Sequence, residues 1–130
     1  MNASFMKEIS LFLLRLFSAL ILIQAGGLKL FGWFGGMPEG AALTPLIIVA
    51  AVLELIGGLL IALGLVTRPA AFILSGEMAV AYFIGHFPSG FWPIQNHGEA
   101  AVLLCFIFLF LAAYGAGAVS VDAKIFRKKE

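Results

Sequence analysis

The chain has 130 residues, of which 62% are hydrophobic and only 12% are charged. A soluble domain is about 25% charged, so this composition excludes an ordinary water-exposed surface and indicates a membrane protein. The net charge is +1 and the basic residues are separated by long apolar runs, which argues against nucleic acid as a partner. One cysteine and two histidines exclude an intramolecular disulfide, and no metal site is predicted.

The first apolar segment runs from about residue 9 to residue 30. Its length matches the roughly 20 residues that a helix needs to cross about 30 Å of hydrocarbon. The segment contains Arg15, exceeds the apolar core of a signal peptide and is followed by no A-x-A-like cleavage site. We therefore expect it to be retained as the first span.

Three further spans are predicted, at about residues 46–66, 70–87 and 99–117. Only Thr67, Arg68 and Pro69 separate the second span from the third, and so short a turn requires an antiparallel pair. Glycine-rich, proline-rich loops that carry aromatic residues flank the other spans. The sequence predicts an all-α, integral membrane, antiparallel four-helix bundle in which residues 1–130 form a single domain.

The distribution of basic residues predicts the orientation of this bundle. One side receives nearly all the cations, namely Lys7, Arg68, Lys124, Arg127, Lys128 and Lys129, whereas the two aromatic loops contain neither Lys nor Arg. Because positive loops stay in the cytoplasm, we expect both termini to be cytoplasmic. The predicted location is the cell inner membrane, crossed several times.

Three ionisable residues, Arg15, Glu54 and Glu77, fall inside the predicted spans. They lie roughly 9, 16 and 12 Å from the cytoplasmic ends of their helices, so the three side chains can reach one another. Ionisable groups at such depth are costly and often functional. We predict a network in which two carboxylates share one guanidinium and one carboxyl group carries protons. These are the candidate catalytic residues; a purely structural clamp is the equal alternative.

Candidate binding residues surround this network. Gly57 and Gly58 lie one helical turn from Glu54 and predict the close approach of a backbone, a water or a flat ligand. Lys29, His86 and Glu99 lie near the outer helix ends, where wet, snorkelling side chains are the simpler explanation. On an ideal helix His86 is about 180° from Glu77, so we do not expect the two to line one inward site unless the helix bends.

These residues occur in an order that resembles the DoxX family of small four-span membrane proteins, nearly end to end. The matching pieces are Arg15 and Leu16, Gly26, Lys29 and Leu30, Glu54, Gly57 and Gly58, Gly64 and Leu65, Thr67 and Arg68, Met78, Ala81, His86, Pro88, Asn96, Gly98 and Glu99, and the closing Gly115, Gly117, Ser120 and Asp122. The resemblance implies a membrane redox or thiol-stress context with a quinone-like ligand. The single Cys105 departs from what direct sulfur transfer by this chain alone would need.

The leading hypothesis is a membrane subunit of a redox or oxidative-stress system, in which the charged interior binds a quinone-like molecule and handles its protons. The enzymatic form of this hypothesis is a quinone-linked oxidoreductase subunit. Expected partners are the lipid bilayer, the quinone-like molecule, a soluble redox protein and a second copy in a homodimer. The alternatives are a non-enzymatic scaffold or assembly factor for partner proteins, and a small transporter.

Overall fold

Every regular element in residues 2–126, the part of the chain that the structure describes, is helical. The computed structural model has six α-helices, α1 (Ala3–Phe31), α2 (Pro45–Leu63), α3 (Thr67–Ala81), α4 (Pro93–Asn96), α5 (Glu99–Tyr114) and α6 (Val121–Ile125). The all-α prediction is confirmed for this range. The predicted basic tail of Arg127, Lys128 and Lys129 lies outside the described residues.

Helix lengths separate the predicted spans into two classes. Within the described residues, three helical segments are long and apolar enough to cross a membrane, Ala3–Phe31, Pro45–Leu63 and Thr67–Ser89. The last of these is α3 with its non-α extension. The predicted fourth span corresponds to α5, which has 16 residues and is shorter than the roughly 20 that ordinarily span.

Local chemistry determines where the helices begin. The side chain of Asn2 accepts a hydrogen bond from Phe5 N at 2.8 Å, so α1 starts at Ala3, ahead of the apolar run. Thr44 caps α2 in the same way, accepting from Ile47 N at 3.3 Å, and Pro45 occupies the first helical position. Such caps satisfy backbone N–H groups that have no partner within the helix.

The helices pack mainly as two antiparallel pairs. α1 lies against α2 and α3 lies against α5, whereas α2 and α3 share a smaller contact and α1 and α5 scarcely touch. The buried core joins the pairs through side chains such as Leu22, Ile61, Leu74, Phe108 and Leu111. Many large apolar side chains on the outer faces are exposed, as expected for helices surrounded by lipid.

The proximal end of the bundle, which holds the start of α1, the α2–α3 turn and residues 115–126, is closed by side chains that bind backbone. The Asp122 carboxylate accepts hydrogen bonds from Val66 N at 2.7 Å and Thr67 N at 2.9 Å. This acidic cap explains why α3 begins at Thr67 rather than at residue 70. Glu8 Oε2 accepts from Ala118 N at 2.7 Å and attaches the loop after α5 to α1.

Arg15 is the largest fully buried side chain in the described structure, with 1% of its surface exposed. Its Nη1 donates to Ala116 O at 2.5 Å, and its Nη2 donates to Val119 O at 2.7 Å. Ala62 O, in the last turn of α2, lies 3.5 Å from Nη2. The guanidinium therefore binds two carbonyl oxygens in the loop after α5 and lies near a third in the last turn of α2. The last carbonyls of a helix have no partner within it and carry partial negative charge.

The predicted contact between Arg15 and Glu54 is wrong. The Arg15 side chain extends toward the proximal end, where the carbonyl oxygens compete for it. Gly64 makes room for this arrangement, because a Cβ added there would lie 3.0 Å from Arg15 Cζ. Its left-handed backbone, with φ of 69°, also ends α2 at low cost only for glycine.

We expect Arg15→Met to lower the free energy of unfolding by about 3 kcal/mol or more, since each bond from a charged donor contributes about 1.5 to 3 kcal/mol. Denaturation of the purified protein in detergent measures this loss. Arg68→Met is the matched control, because exposed Arg68 makes one long contact, 3.4 Å to Tyr114 O, and its loss should cost below about 1 kcal/mol. Equal losses for the two variants would contradict a special role for Arg15.

Candidate functional site

A buried ion pair joins α1 to the middle of α2. Lys29 Nζ lies 2.7 Å from Glu54 Oε1 and 2.6 Å from Glu54 Oε2, so the ammonium contacts both carboxylate oxygens. The Glu54 side chain is 3% exposed and that of Lys29 is 26% exposed. Because α1 and α2 are antiparallel neighbours, the long Lys29 side chain can reach inward from near the end of α1. It neutralises a carboxylate that would otherwise be costly in hydrocarbon.

Glu77 supplies a second carboxyl group to this cluster. It lies near enough to Glu54 and Lys29 to interact electrostatically with both. Both Glu77 carboxyl oxygens are buried and receive no hydrogen bond from a donor group among the described residues; the group in hydrogen-bonding reach is the Glu54 carboxyl group. The structure thus brings Glu54 and Glu77 together as two carboxyl groups with one cation, but that cation is Lys29 and not Arg15.

A groove of about 460 Å³ adjoins the cluster on the face between α2 and α3. We call it the α2–α3 groove; its lining residues are Lys29, Leu46, Ile47, Val49, Ala50, Leu53, Ile73, Gly76, Glu77, Val80, Ala81, Ile84, Gly85 and His86. Its three ionisable residues are Lys29, Glu77 and His86, and the walls are otherwise apolar. A Cβ added at Gly76 or Gly85 would meet no atom within 4 Å, so both glycines border open space.

A π-helical turn at Tyr82–His86 brings His86 to this groove. The sequence allowed His86 and Glu77 to line one site only if the helix departs from ideal α geometry, and the π turn is such a departure. A π turn is wider than an α turn, so each residue rotates the chain less and His86 comes round toward the face that carries Glu77. His86 Nδ1 lies 3.1 Å from Asn96 O, which fixes the ring against the loop before α5.

The loop that holds His86 is itself stabilised by Tyr82 and Asn96. The buried Tyr82 hydroxyl donates to Phe91 O and accepts from Asn96 Nδ2 at 3.0 Å. The Asn96 side chain also donates to Gly90 O at 2.7 Å and accepts from Gly98 N at 2.8 Å. Sequence reasoning missed Tyr82; the signal was a tyrosine in an apolar helix, whose buried hydroxyl requires a partner.

Three other predicted binding residues lie away from the groove. A Cβ at Gly57 would lie 2.8 Å from Leu74 Cδ2, and one at Gly58 would lie 2.6 Å from Ile23 Cγ1. The space beside these glycines is therefore filled by α3 and α1, so the predicted close approach is that of neighbouring helices and leaves no room there for the flat ligand. Glu99 is exposed in the first turn of α5 and does not line the groove.

Comparison with known proteins identifies the family. Residues 10–87 match the family described as DoxX, which is more than half of the chain. The chain belongs to the DoxX family. An uncharacterized protein of Haemophilus influenzae is 48% identical over 93 residues, which cover 69% of this chain and 69% of that protein. No solved structure matches.

The DoxX match contains every ionisable residue of the cluster and groove, Lys29, Glu54, Glu77 and His86, and also Arg15. DoxX proteins are membrane proteins that are often linked to redox or stress functions. Long apolar helices place this member in a lipid bilayer. The family assignment made from sequence motifs is confirmed.

We expect Lys29 and Glu77 to differ in their contribution to stability. Lys29→Met leaves two buried carboxyl groups without a cation and should lower the free energy of unfolding by on the order of 3 kcal/mol. Glu77→Gln should change it by about 1 kcal/mol or less, because Lys29 remains paired with Glu54. Denaturation in detergent measures both, with Lys124→Met at the exposed proximal surface as the control.

If Glu77→Gln is as destabilising as Lys29→Met, Glu77 is part of the structural ion network and is not available for chemistry. A double-mutant cycle of Lys29→Met with Glu54→Gln adds an independent check. It should show coupling, since the two side chains are in direct contact.

Proposed function

We propose that this DoxX protein binds a quinone-like ligand in the α2–α3 groove and exchanges protons with it through Glu77. In this role it is a multi-pass inner-membrane subunit of a redox or oxidative-stress system. The observation that carries the proposal is the Glu77 carboxyl group, which is buried, receives no hydrogen bond from a donor group among the described residues and lines a groove beside a fixed cation and a second carboxyl group.

The size and chemistry of the groove support a small apolar ligand with a polar head. Small-molecule sites are typically about 300 to 1,000 Å³, mostly apolar, with a few placed polar groups. The groove has about 460 Å³ and three ionisable residues. The Lys29 ammonium and a ring nitrogen of His86 can donate to the carbonyl oxygens of a quinone ring, and the apolar walls suit the ring and its tail.

Glu77 is the proposed proton-carrying group because its neighbours are already paired. The Lys29 ammonium contacts both oxygens of Glu54, which leaves Glu77 without a cation of its own. A quinone takes up two protons when a partner protein supplies two electrons, and a positioned carboxyl group can deliver a proton to a reacting oxygen. His86, near the loop before α5, provides a route from Glu77 toward water.

We expect Gly76→Leu to abolish ligand binding without unfolding the protein. The leucine side chain would enter the open space of the groove, and leucine favours a helix more than glycine does. Quinone recovered by solvent extraction, and the rise in melting temperature with a short-chain ubiquinone or menaquinone, should both be lost. Ala113→Leu, on an exposed face of α5, is the matched control and should retain both.

The Glu77→Gln variant separates binding from proton handling. Glutamine keeps the shape of the groove but cannot release a proton. Quinone binding should therefore persist in this variant and, unlike quinone binding by the wild type, should not change with pH. A wild-type protein that yields no quinone on extraction, and whose melting temperature no quinone changes, would refute the proposed function. Co-purification of partner proteins in that case would support the scaffold alternative instead.

The proposed orientation has its own test. Lys7, Arg68 and Lys124 all lie at the proximal end, which Asp122 and Glu8 hold together, so positive-inside orientation puts this end in the cytoplasm. A green fluorescent protein fused after Glu130 should then fluoresce, and alkaline phosphatase fused there should be inactive. The opposite pattern would place the C-terminus outside.

A further inference from the structure

A second groove lies at the proximal end, away from the proposed quinone site. It has a volume of about 520 Å³ and is lined by Met6, Lys7, Ser10, Leu11, Leu14, Phe110 and Tyr114. The rings of Phe110 and Tyr114 stack with their centroids 5.3 Å apart and form its wall on the α5 side. Lys7 and Ser10, near the start of α1, stand at its polar mouth.

This groove exists because the first and last long helices scarcely touch. α1 packs on α2 and α5 packs on α3, and the loop after α5 is what attaches α5 to α1, through Ala118 N to Glu8 and through Arg15 to Ala116 O. An apolar gap on the surface of a membrane protein does not stay empty, since its walls would lose their dispersion contacts. In a bilayer an acyl chain or another helix must fill it.

The charges around the groove favour a lipid with an anionic headgroup. Arg68 lies on the other side of Tyr114, where it lines an adjoining cavity of about 730 Å³. The nearby acids are already engaged, Glu8 with Ala118 N and Asp122 with Val66 N and Thr67 N. Among the described residues neither Lys7 nor Arg68 forms a salt bridge. One cation, Lys7, therefore stands in the lining of the apolar groove, and a second, Arg68, lies in the adjoining cavity.

We propose that an anionic phospholipid occupies this groove. Its acyl chain lies along Leu11, Leu14 and Phe110, and its phosphate lies at the mouth near Lys7, with Arg68 contributing beyond Tyr114. A second copy of the chain is the poorer occupant, because a two-fold contact uses the same patch from both copies. Such a contact would bring Lys7 of both copies close together. A phospholipid supplies both the hydrocarbon and the negative charge.

Native mass spectrometry of the full chain in detergent tests this proposal, with dioleoyl phosphatidylglycerol and dioleoyl phosphatidylcholine as the two probes. Phosphatidylglycerol should bind more tightly than phosphatidylcholine. Lys7→Gln should weaken phosphatidylglycerol binding about fivefold, the effect of one basic residue near an anionic lipid, and leave phosphatidylcholine unchanged. Ser10→Phe should fill the groove and weaken both lipids.

Lys124→Gln is the matched control, because Lys124 is an exposed cation at the same end that does not line the groove. It should bind phosphatidylglycerol as the wild type does. Melting temperatures measured without lipid establish that each variant is folded. Because the quinone groove lies at the other end, Lys7→Gln should keep the quinone response.

Three results would overturn the proposal. Equal binding of the two lipids would exclude an anionic headgroup site. Equal losses for Lys7→Gln and Lys124→Gln would show that attraction is spread over the whole proximal surface. A dimer that Ser10→Phe dissociates, in protein that retains no phosphatidylglycerol, would assign the groove to a second copy of the chain.

Discussion

The forked hydrogen bonds of Arg15 hold together three parts of the chain that have little other reason to meet. One guanidinium on α1 binds carbonyl oxygens that follow α5 and approaches one at the end of α2. Since α1 and α5 pack on different neighbours, this contact helps close the bundle. Backbone acceptors inside a membrane protein find no water to bind, so a fixed donor with several N–H groups satisfies them where secondary structure ends.

At the same proximal end, an acidic side chain binds the N-terminus of a helix. Asp122 places a carboxylate on the N–H groups that begin α3, while Arg15 places a cation on carbonyls of the loop after α5 and near one in the last turn of α2. Each charge faces the partial charge of opposite sign. Both Nη atoms of Arg15 are hydrogen-bonded, although its buried Nε has no partner, whereas both buried carboxyl oxygens of Glu77 lack a hydrogen-bond donor.

Much of the fold followed from sequence because hydrocarbon imposes simple rules. Long apolar runs predicted the helices, and the three-residue separation at Thr67 predicted an antiparallel pair. Depth along the helices correctly brought Glu54 and Glu77 to one level. Depth alone did not identify their cation, because Arg15 and Lys29 have long side chains that can extend in either direction. The carbonyl acceptors that attract Arg15 leave no mark in the sequence.

The half of the bundle opposite the proximal end, which contains His86, was harder to predict from the sequence. The position of His86 depends on a π turn at Tyr82–His86, and no residue type specifies one, so an ideal helical wheel placed the ring on the wrong face. Gly57 and Gly58 correctly indicated close approach, but a glycine does not reveal what approaches. Neighbouring side chains fill that space, and the glycines that border the open space of the α2–α3 groove are instead Gly76 and Gly85.

The shortness of α5 has a consequence for the surrounding lipid. Its 16 residues extend about 24 Å, against a hydrocarbon thickness of about 30 Å, whereas α1 has 29 residues. If α5 crosses the bilayer, it is too short for the hydrocarbon on its side of the molecule, and bilayers accommodate a short helix by thinning beside it or by drawing its flanking residues outward. The bilayer around the protein would then be thinner beside α5 than beside α1. The thickness of the membrane would therefore affect the stability of the folded protein.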